Sequence, residues 1–319
     1  MLRRHHTGAQ VVSTAAVLVE DVHVRFGDLH ALAGIDLAAP KGSTLAVLGH
    51  NGAGKTTLIR ILTTLIRPDA GRVLVDGFDA VADADRVRRR IGVTGQYAGL
   101  DEFLTGRENL ELVARLGGLG SRARARAGAL IDQLLLHDIA ERRIGELSGG
   151  SRRRIDLAAS LVAEPSVLFL DEPTTGLDPS ARTALWELVG ELNADGITVV
   201  LTTQYLDEAD RLADDIIVLE HGRISARGTP AELKRLVGGK VVTATIPTNH
   251  LARLDRTPDE ARTADAARSR ITYSTAGADA AADLVARLVT DGVSFDDVEV
   301  TSPTLDDVFA HLTLQRTRS

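Results

Sequence analysis

Nine consecutive residues constrain this 319-residue chain more than any others: Gly49-His50-Asn51-Gly52-Ala53-Gly54-Lys55-Thr56-Thr57. The short, apolar, partly β-branched run Ser43-Thr44-Leu45-Ala46-Val47-Leu48 precedes them and reads as a buried strand. Leu58-Ile59-Arg60-Ile61-Leu62 follows and reads as the start of a helix. A strand–loop–helix setting is what a G-x-x-x-x-G-K-[ST] pattern needs to act as a phosphate-binding loop. Glycines at 49, 52 and 54 let the backbone curl so that successive N–H groups point at phosphate oxygens, and the helix adds its positive dipole end. Lys55 is placed to reach the β- and γ-phosphates as a point charge, and the Thr56 hydroxyl to ligate Mg²⁺. The stretch predicts a bound nucleoside triphosphate.

Length suggests about two domains. A charged fraction of 25% and an apolar fraction of 44% are ordinary for a globular chain. No apolar run approaches the roughly 18 residues that cross a bilayer, so any pore belongs to another chain. A formal net charge of −7 argues against a nucleic-acid partner. With no cysteine, disulfides and thiolate chemistry are excluded, and the nine histidines lack ligand spacing. Arg3 and Arg4 before an apolar stretch mimic a secretory signal, but Ser13 and Thr14 interrupt it and Glu20 and Asp21 close it. Residues 1–16 read as a polar tail.

Along the chain, Ala16-Val17-Leu18-Val19 and Val22-His23-Val24-Arg25-Phe26-Gly27 are strand-like. Phe26 is either a core-filling edge residue or a flat partner for a nucleotide base. Strands are also predicted at 72–77 and 91–96, the latter ending in Gln96. From Leu104 to about Leu161 the pattern turns helical. Its basic run Arg122, Arg124 and Arg126 is expected on a solvated helix face. Ser148 is placed to N-cap the next helix, and two glycines there, Gly149 and Gly150, suggest that something approaches the backbone, an anion for instance.

Ser166-Val167-Leu168-Phe169-Leu170-Asp171-Glu172 is a buried strand ending in two acids, at the strand end where α/β folds bind nucleotides. Asp171 can hold Mg²⁺ through water, and Glu172 can take a proton from an attacking water. Thr198-Val199-Val200-Leu201-Thr202-Thr203-Gln204 is another strand with a polar tip. Thr229-Pro230-Ala231-Glu232 opens a short helix. Beyond Gly238-Gly239 the composition changes. Residues 241–319 read as a small α+β domain, with strands at 241–246, 271–274 and 298–300 and helices at 278–288 and 305–314.

With these motifs in this order, residues 17–240 resemble the ATP-binding subunit of an ABC transporter. The resemblance implies a P-loop NTPase cassette with a RecA-like core sheet, a helical subdomain at about 97–161, and ATP and Mg²⁺ as ligands. It makes residues 49–57 the Walker A loop, Phe26 the adenine-stacking aromatic and Gln96 the Q-loop glutamine that senses Mg²⁺ and the attacking water. Leu147-Ser148-Gly149-Gly150-Ser151 becomes the signature that caps ATP bound to the other subunit. Asp171 and Glu172 are the Walker B aspartate and catalytic glutamate, Asp178 the D-loop aspartate, and Gln204 occupies the switch position.

A narrower resemblance, to the daunorubicin/doxorubicin-resistance ATP-binding subunits, rests on four stretches. They are residues 91–110, Arg152-Arg153-Arg154-Ile155-Asp156-Leu157-Ala158, Thr203-Gln204-Tyr205-Leu206-Asp207-Glu208-Ala209-Asp210 and Ser302-Pro303-Thr304-Leu305-Asp306-Asp307-Val308-Phe309. It implies an ATPase homodimer at the cytoplasmic face of the membrane that drives a separate permease exporting a drug. A lipid, polysaccharide or peptide cargo, and an ABC ATPase outside transport, are the alternatives. Ser151 stands where the signature usually has glutamine, and Gln204 where the switch is usually histidine. Gln204 can donate to a phosphate oxygen but cannot become cationic.

Overall fold

The computed structural model describes residues 15–95, 99–245, 262–265, 270–291 and 293–309. The chain forms two compact units, Met1–Arg227 and Gly228–Ser319. Composition changes near Gly238-Gly239, whereas the packing divides the chain at Gly228.

In the first unit, β1 (Ala15–Phe26) is antiparallel to β2 (Leu29–Pro40) and β4 (Ala70–Val75), with the two-residue β5 (Phe78–Asp79) beyond. The two predicted strand pieces are one strand interrupted by irregular pairing between Val19 and His23, where Asp21 adopts a φ of 46°. The second sheet has six strands in the order β10-β9-β3-β8-β7-β6. They are β3 (Thr44–Leu48), β6 (Ile91–Thr94), β7 (Val167–Asp171), β8 (Thr198–Thr203), β9 (Asp215–Glu220) and β10 (Arg223–Gly228). The pairings β3–β8, β3–β9, β7–β8 and β6–β7 are all parallel.

Every residue of β3, β7 and β8 is buried, as continuous apolar strands covered on both faces must be. The side chains of Leu45, Val47, Phe169 and Val200 share a core with Leu58 and Ile61 of α1 (Lys55–Leu62). Parallel pairing has one consequence for function. The carboxyl ends of β3, β6, β7 and β8 emerge along a single edge.

The helical stretch resolves into α3 (Gly106–Leu116), α4 (Ala123–Gln133) and α5 (Gly149–Ser160), after a short α2 (Ala84–Arg88) that follows β5. Thr105 and Glu108 form a reciprocal capping box that starts α3. The expectation of a solvated arginine face holds for Arg122 and Arg124 but not for Arg126. The Arg126 guanidinium donates to the carbonyls of Leu161 (2.6 Å) and Val162 (3.1 Å), which follow α5. The backbone beyond a helix end leaves carbonyls pointing outward, and a neighbouring cation donates to these two.

After β7 come α6 (Pro179–Ala194) and, beyond β8, α7 (Leu206–Leu212). In the second unit, α8 (Pro230–Arg235) opens at a Thr229–Glu232 capping box. An antiparallel sheet follows in the order β12-β13-β11-β14, formed by β11 (Lys240–Thr245), β12 (Arg262–Asp265), β13 (Arg270–Thr275) and β14 (Asp297–Thr301). The helix α9 (Ala278–Thr290) buries Ala281 and Leu288 in a core with Val242, Ala244, Ile271 and Tyr273. Thr304 and Asp307 cap a last helical turn at 305–309, and predicted residues 310–314 lie outside the described residues.

Candidate functional site

The loop between β3 and α1 is shaped by two close approaches. A Cβ on Gly49 would sit 2.4 Å from the Leu219 carbonyl oxygen of β9. At Gly54 it would sit 2.6 Å from the Ala31 carbonyl, and the φ of 110° there already excludes most side chains. Gly52 also has positive φ, but in open space. The loop is hooked to β8 by the Gly49 N–H, which donates to Thr203 O (3.2 Å), one residue before Gln204. Ala53 is buried, His50 and Asn51 are exposed, and Thr56 and Thr57 are half-buried. The α1 N-terminus has no side-chain cap and no acid in its first turn. An anion meets no competing negative charge from that turn.

Lys55 is almost fully buried. Its ammonium donates to Gly49 O (2.8 Å) and His50 O (3.2 Å) and pairs with Glu172 Oε1 at 3.1 Å. Glu172 is equally constrained. Its N–H is shared between Thr202 O and Thr202 Oγ1, both at 3.1 Å, and the Thr175 hydroxyl donates to Oε2 at 3.3 Å. Its φ of 50° costs about 1–2 kcal/mol for a non-glycine residue. Removing one member of a buried ion pair typically costs about 3–5 kcal/mol, so Lys55 and Glu172 depend on each other. Next to it, Asp171 Oδ1 accepts the Thr202 hydroxyl at 2.6 Å.

Gln204 lies just past β8, which stops at Thr203, in an exposed position, so no burial penalty constrains its amide. The helix that follows is anchored by Glu208. This residue is fully buried and accepts the Trp186 indole N–H at 2.9 Å; burial pushes its carboxyl above the ordinary range. Phe26 is 53% exposed at the end of β1, which excludes the core-filling alternative. Gln96 lies outside the described residues.

On another helix, Ser148 caps α5 as predicted, accepting the Ser151 N–H at 3.2 Å. What crowds Gly150 is this chain itself. A Cβ there would lie 2.6 Å from Ala181 Cβ of α6, while Gly149 has only ordinary contact with Leu177. Asp178 caps α6, accepting from Ser180 Oγ (2.6 Å) and Ala181 N (2.9 Å). These bonds, the serine's foremost, hold its carboxyl below the usual range.

Two matches to known families cover much of the chain. Residues 32–175 match the ABC transporter family, and residues 228–313 match the C-terminal domain of the DrrA1-3-like ATP-binding proteins. Daunorubicin resistance ATP-binding protein DrrA3 of Streptomyces coeruleorubidus is 48% identical over 306 residues, spanning 95% of this chain and 97% of the relative. The chain belongs to the daunorubicin-resistance ATP-binding proteins. The daunorubicin/doxorubicin resistance ATP-binding protein DrrA of Streptomyces peucetius is 54% identical, over 68% of this chain and 66% of its own. A solved dimeric, post-hydrolysis state of the ATP-binding cassette MJ0796 with ADP and Pi aligns with a TM-score of 0.60 at 28% identity. It covers 67% of this chain and 98% of that one. The fold is therefore an ABC cassette, and the chain is an ATPase that takes ATP as its nucleotide.

Two participants escaped the sequence-based reading of this ABC ATPase. Thr202 orients both Asp171 and the Glu172 backbone, and Arg153 reaches the same turn from α5. A polar residue inside the apolar run of β8 is the one sequence signal that Thr202 carries.

Proposed function

We propose that this ATPase energises the export of a drug through a separate membrane-spanning subunit. Two copies of the chain close head to tail on two ATP molecules. The observation that carries this reading is the buried Lys55–Glu172 contact of 3.1 Å at the shared edge of β3, β7 and β8. The names of the relatives support the cargo class. Among the described residues no helix is long and apolar enough to cross a membrane, which agrees with a peripheral subunit at its cytoplasmic face.

In this scheme the amides of residues 49–57 and the Lys55 ammonium bind the β- and γ-phosphates, and Phe26 stacks on adenine. Thr56, Asp171 and Gln96 hold Mg²⁺. Hydroxyl and carboxylate oxygens are donors that Mg²⁺ accepts, and the Thr202 bond orients Asp171 for this. When bound, the ion supplies positive charge at the γ-phosphoryl oxygens. Glu172 takes the proton of the attacking water, and the Gln204 amide donates to a γ-phosphate oxygen. Ser148, Gly149 and Gly150 of one copy cap the ATP of the other beside Asp178. Opening after hydrolysis moves the permease.

The test is Ser148→Arg in the full chain. Hydrolysis should vanish while ATP binding to the isolated subunit is retained. Loss of ATP binding in that variant would place the signature in cis and reject the dimer. Co-purification with a multi-span membrane protein, and drug-stimulated turnover of the pair, test the transport role.

A further inference from the structure

The basic run Arg152-Arg153-Arg154 has no part in that scheme, and its members do different things. Arg152 pairs with Glu102 (3.4 Å), and Arg154 donates to Leu135 O (2.9 Å), both within the helical region. Arg153 turns the other way and is buried. Its Nε donates to Pro173 O (2.9 Å), Nη1 to Gly95 O (2.6 Å) and to Asp156 Oδ2 (3.2 Å), and Nη2 to Asp171 O (3.4 Å).

The partners are informative. Asp171 and Pro173 flank Glu172, and Gly95 directly precedes Gln96. Asp156 is buried one turn further along α5 and accepts the Arg153 guanidinium. One guanidinium–carboxylate pair on the signature helix thus holds the Gly95 carbonyl and the turn that carries the acid. A planar fork of five donors can serve three carbonyls and a carboxylate at once, which the compact ammonium of lysine cannot.

We propose that Arg153, locked by Asp156, is a positioning residue that makes the placement of Glu172 and of the Gly95 backbone depend on where the signature helix is held. Closing α5 on the partner copy's nucleotide then bears directly on hydrolysis in this copy's own site. The proposal rests on Glu172 being the general base.

The experiment uses the full chain carrying Arg153→Met together with Asp156→Asn. This pair of changes removes both charges and keeps volume. The expected result is a fall in kcat of about tenfold, the size of coupling carried by such networks. KM, ATP affinity and melting temperature should stay near wild type, a split that separates positioning from folding. An unchanged kcat overturns the proposal, as does a joint loss of ATP binding and thermal stability. If the double variant does not fold, Arg153→Lys decides: reduced kcat at unchanged ATP affinity supports the role, and full kcat overturns it. Glu172→Gln is measured in parallel. If it turns over normally, the base assignment falls; if it is inactive beside a fully active Arg153→Met/Asp156→Asn, only the positioning role falls.

Discussion

The two compact units bury their side chains by different rules. In the second, the described core holds no charged side chain: Val242, Ala244, Ile271, Tyr273, Ala281, Leu288 and Val293. In the first, a large apolar core coexists with buried Lys55, Arg153, Asp156, Asp171, Glu172 and Glu208. Among the described residues, every buried charged side chain belongs to the first unit. Charges are expensive to bury, and where they are kept they are paired and hydrogen-bonded. The difference follows from strand direction. Parallel strands send all their carboxyl ends to one edge, so loops from β3, β6, β7 and β8 can pool polar groups there. The antiparallel sheet alternates its ends and offers no such edge. One unit gathers buried charges at a strand edge, and the described core of the other holds none.

Four measurements can break or sharpen that contrast. The largest effect is expected in the charged unit, from Glu172→Gln. Loss of a general base lowers turnover by about 10²- to 10⁴-fold, with ATP binding retained and an ATP-bound dimer accumulating. Near-wild-type steady-state hydrolysis would reject the assignment. In the apolar unit, Leu288→Ala should cost about 2–5 kcal/mol of that unit's stability. Amide exchange in β11 and β13 would rise while ATP affinity stays constant. Altered ATP affinity would break the division of labour drawn above.

The third measurement concerns Asp156, whose carboxyl is pushed from 3.8 up to about 6, chiefly by burial and against the pull of Arg153. The folded protein therefore holds this proton more tightly than the unfolded chain does. The resulting stabilisation is present below about pH 4 and is lost as pH rises through about 6, to an extent of about 3 kcal/mol. Asparagine does not titrate. The stability of wild type relative to Asp156→Asn should thus fall between pH 4 and 7, and a flat difference in chemical denaturation would contradict it.

The smallest effect is expected at Gln204. A hydrogen bond from its amide to a charged phosphate is worth about 1.5–3 kcal/mol, or roughly ten- to a hundredfold in rate when removed as Gln204→Ala. Gln204→His should keep activity and add a pH dependence between roughly pH 6 and 8. An unaltered Gln204→Ala rate would mean that the switch position is idle.

Local features were legible. The strand–loop–helix around residues 49–57, the helix starts at Ser148 and Thr229 and the acids at the end of β7 all stand where spacing predicts. Strands β2, β9, β10 and β12 were not among the predicted ones. In β2, small residues such as Ala31, Ala33, Gly34, Ala38 and Ala39 dilute the alternation that marks a strand. Arg126 was misjudged for a different reason. Helix periodicity reports the face of a side chain, not the presence beside it of carbonyls from the turn that follows another helix.

What the sequence by itself determined is held within a few residues: a glycine loop between strand and helix, helix starts, and an acid pair at a strand end. Such motifs work through backbone geometry and neighbours only a few positions apart, so spacing suffices to identify them. Tertiary structure alone decided which distant groups complete them. Thr202 reaches Asp171 across 31 positions and Arg153 reaches Gly95 across 58. Ala181 of α6 leaves no room for a side chain at Gly150. These contacts exist because β8 pairs beside β7 and because α5 packs with its arginine toward the ends of β6 and β7. The order of strands in a parallel sheet is set by long crossovers and shared burial, and no local pattern encodes it.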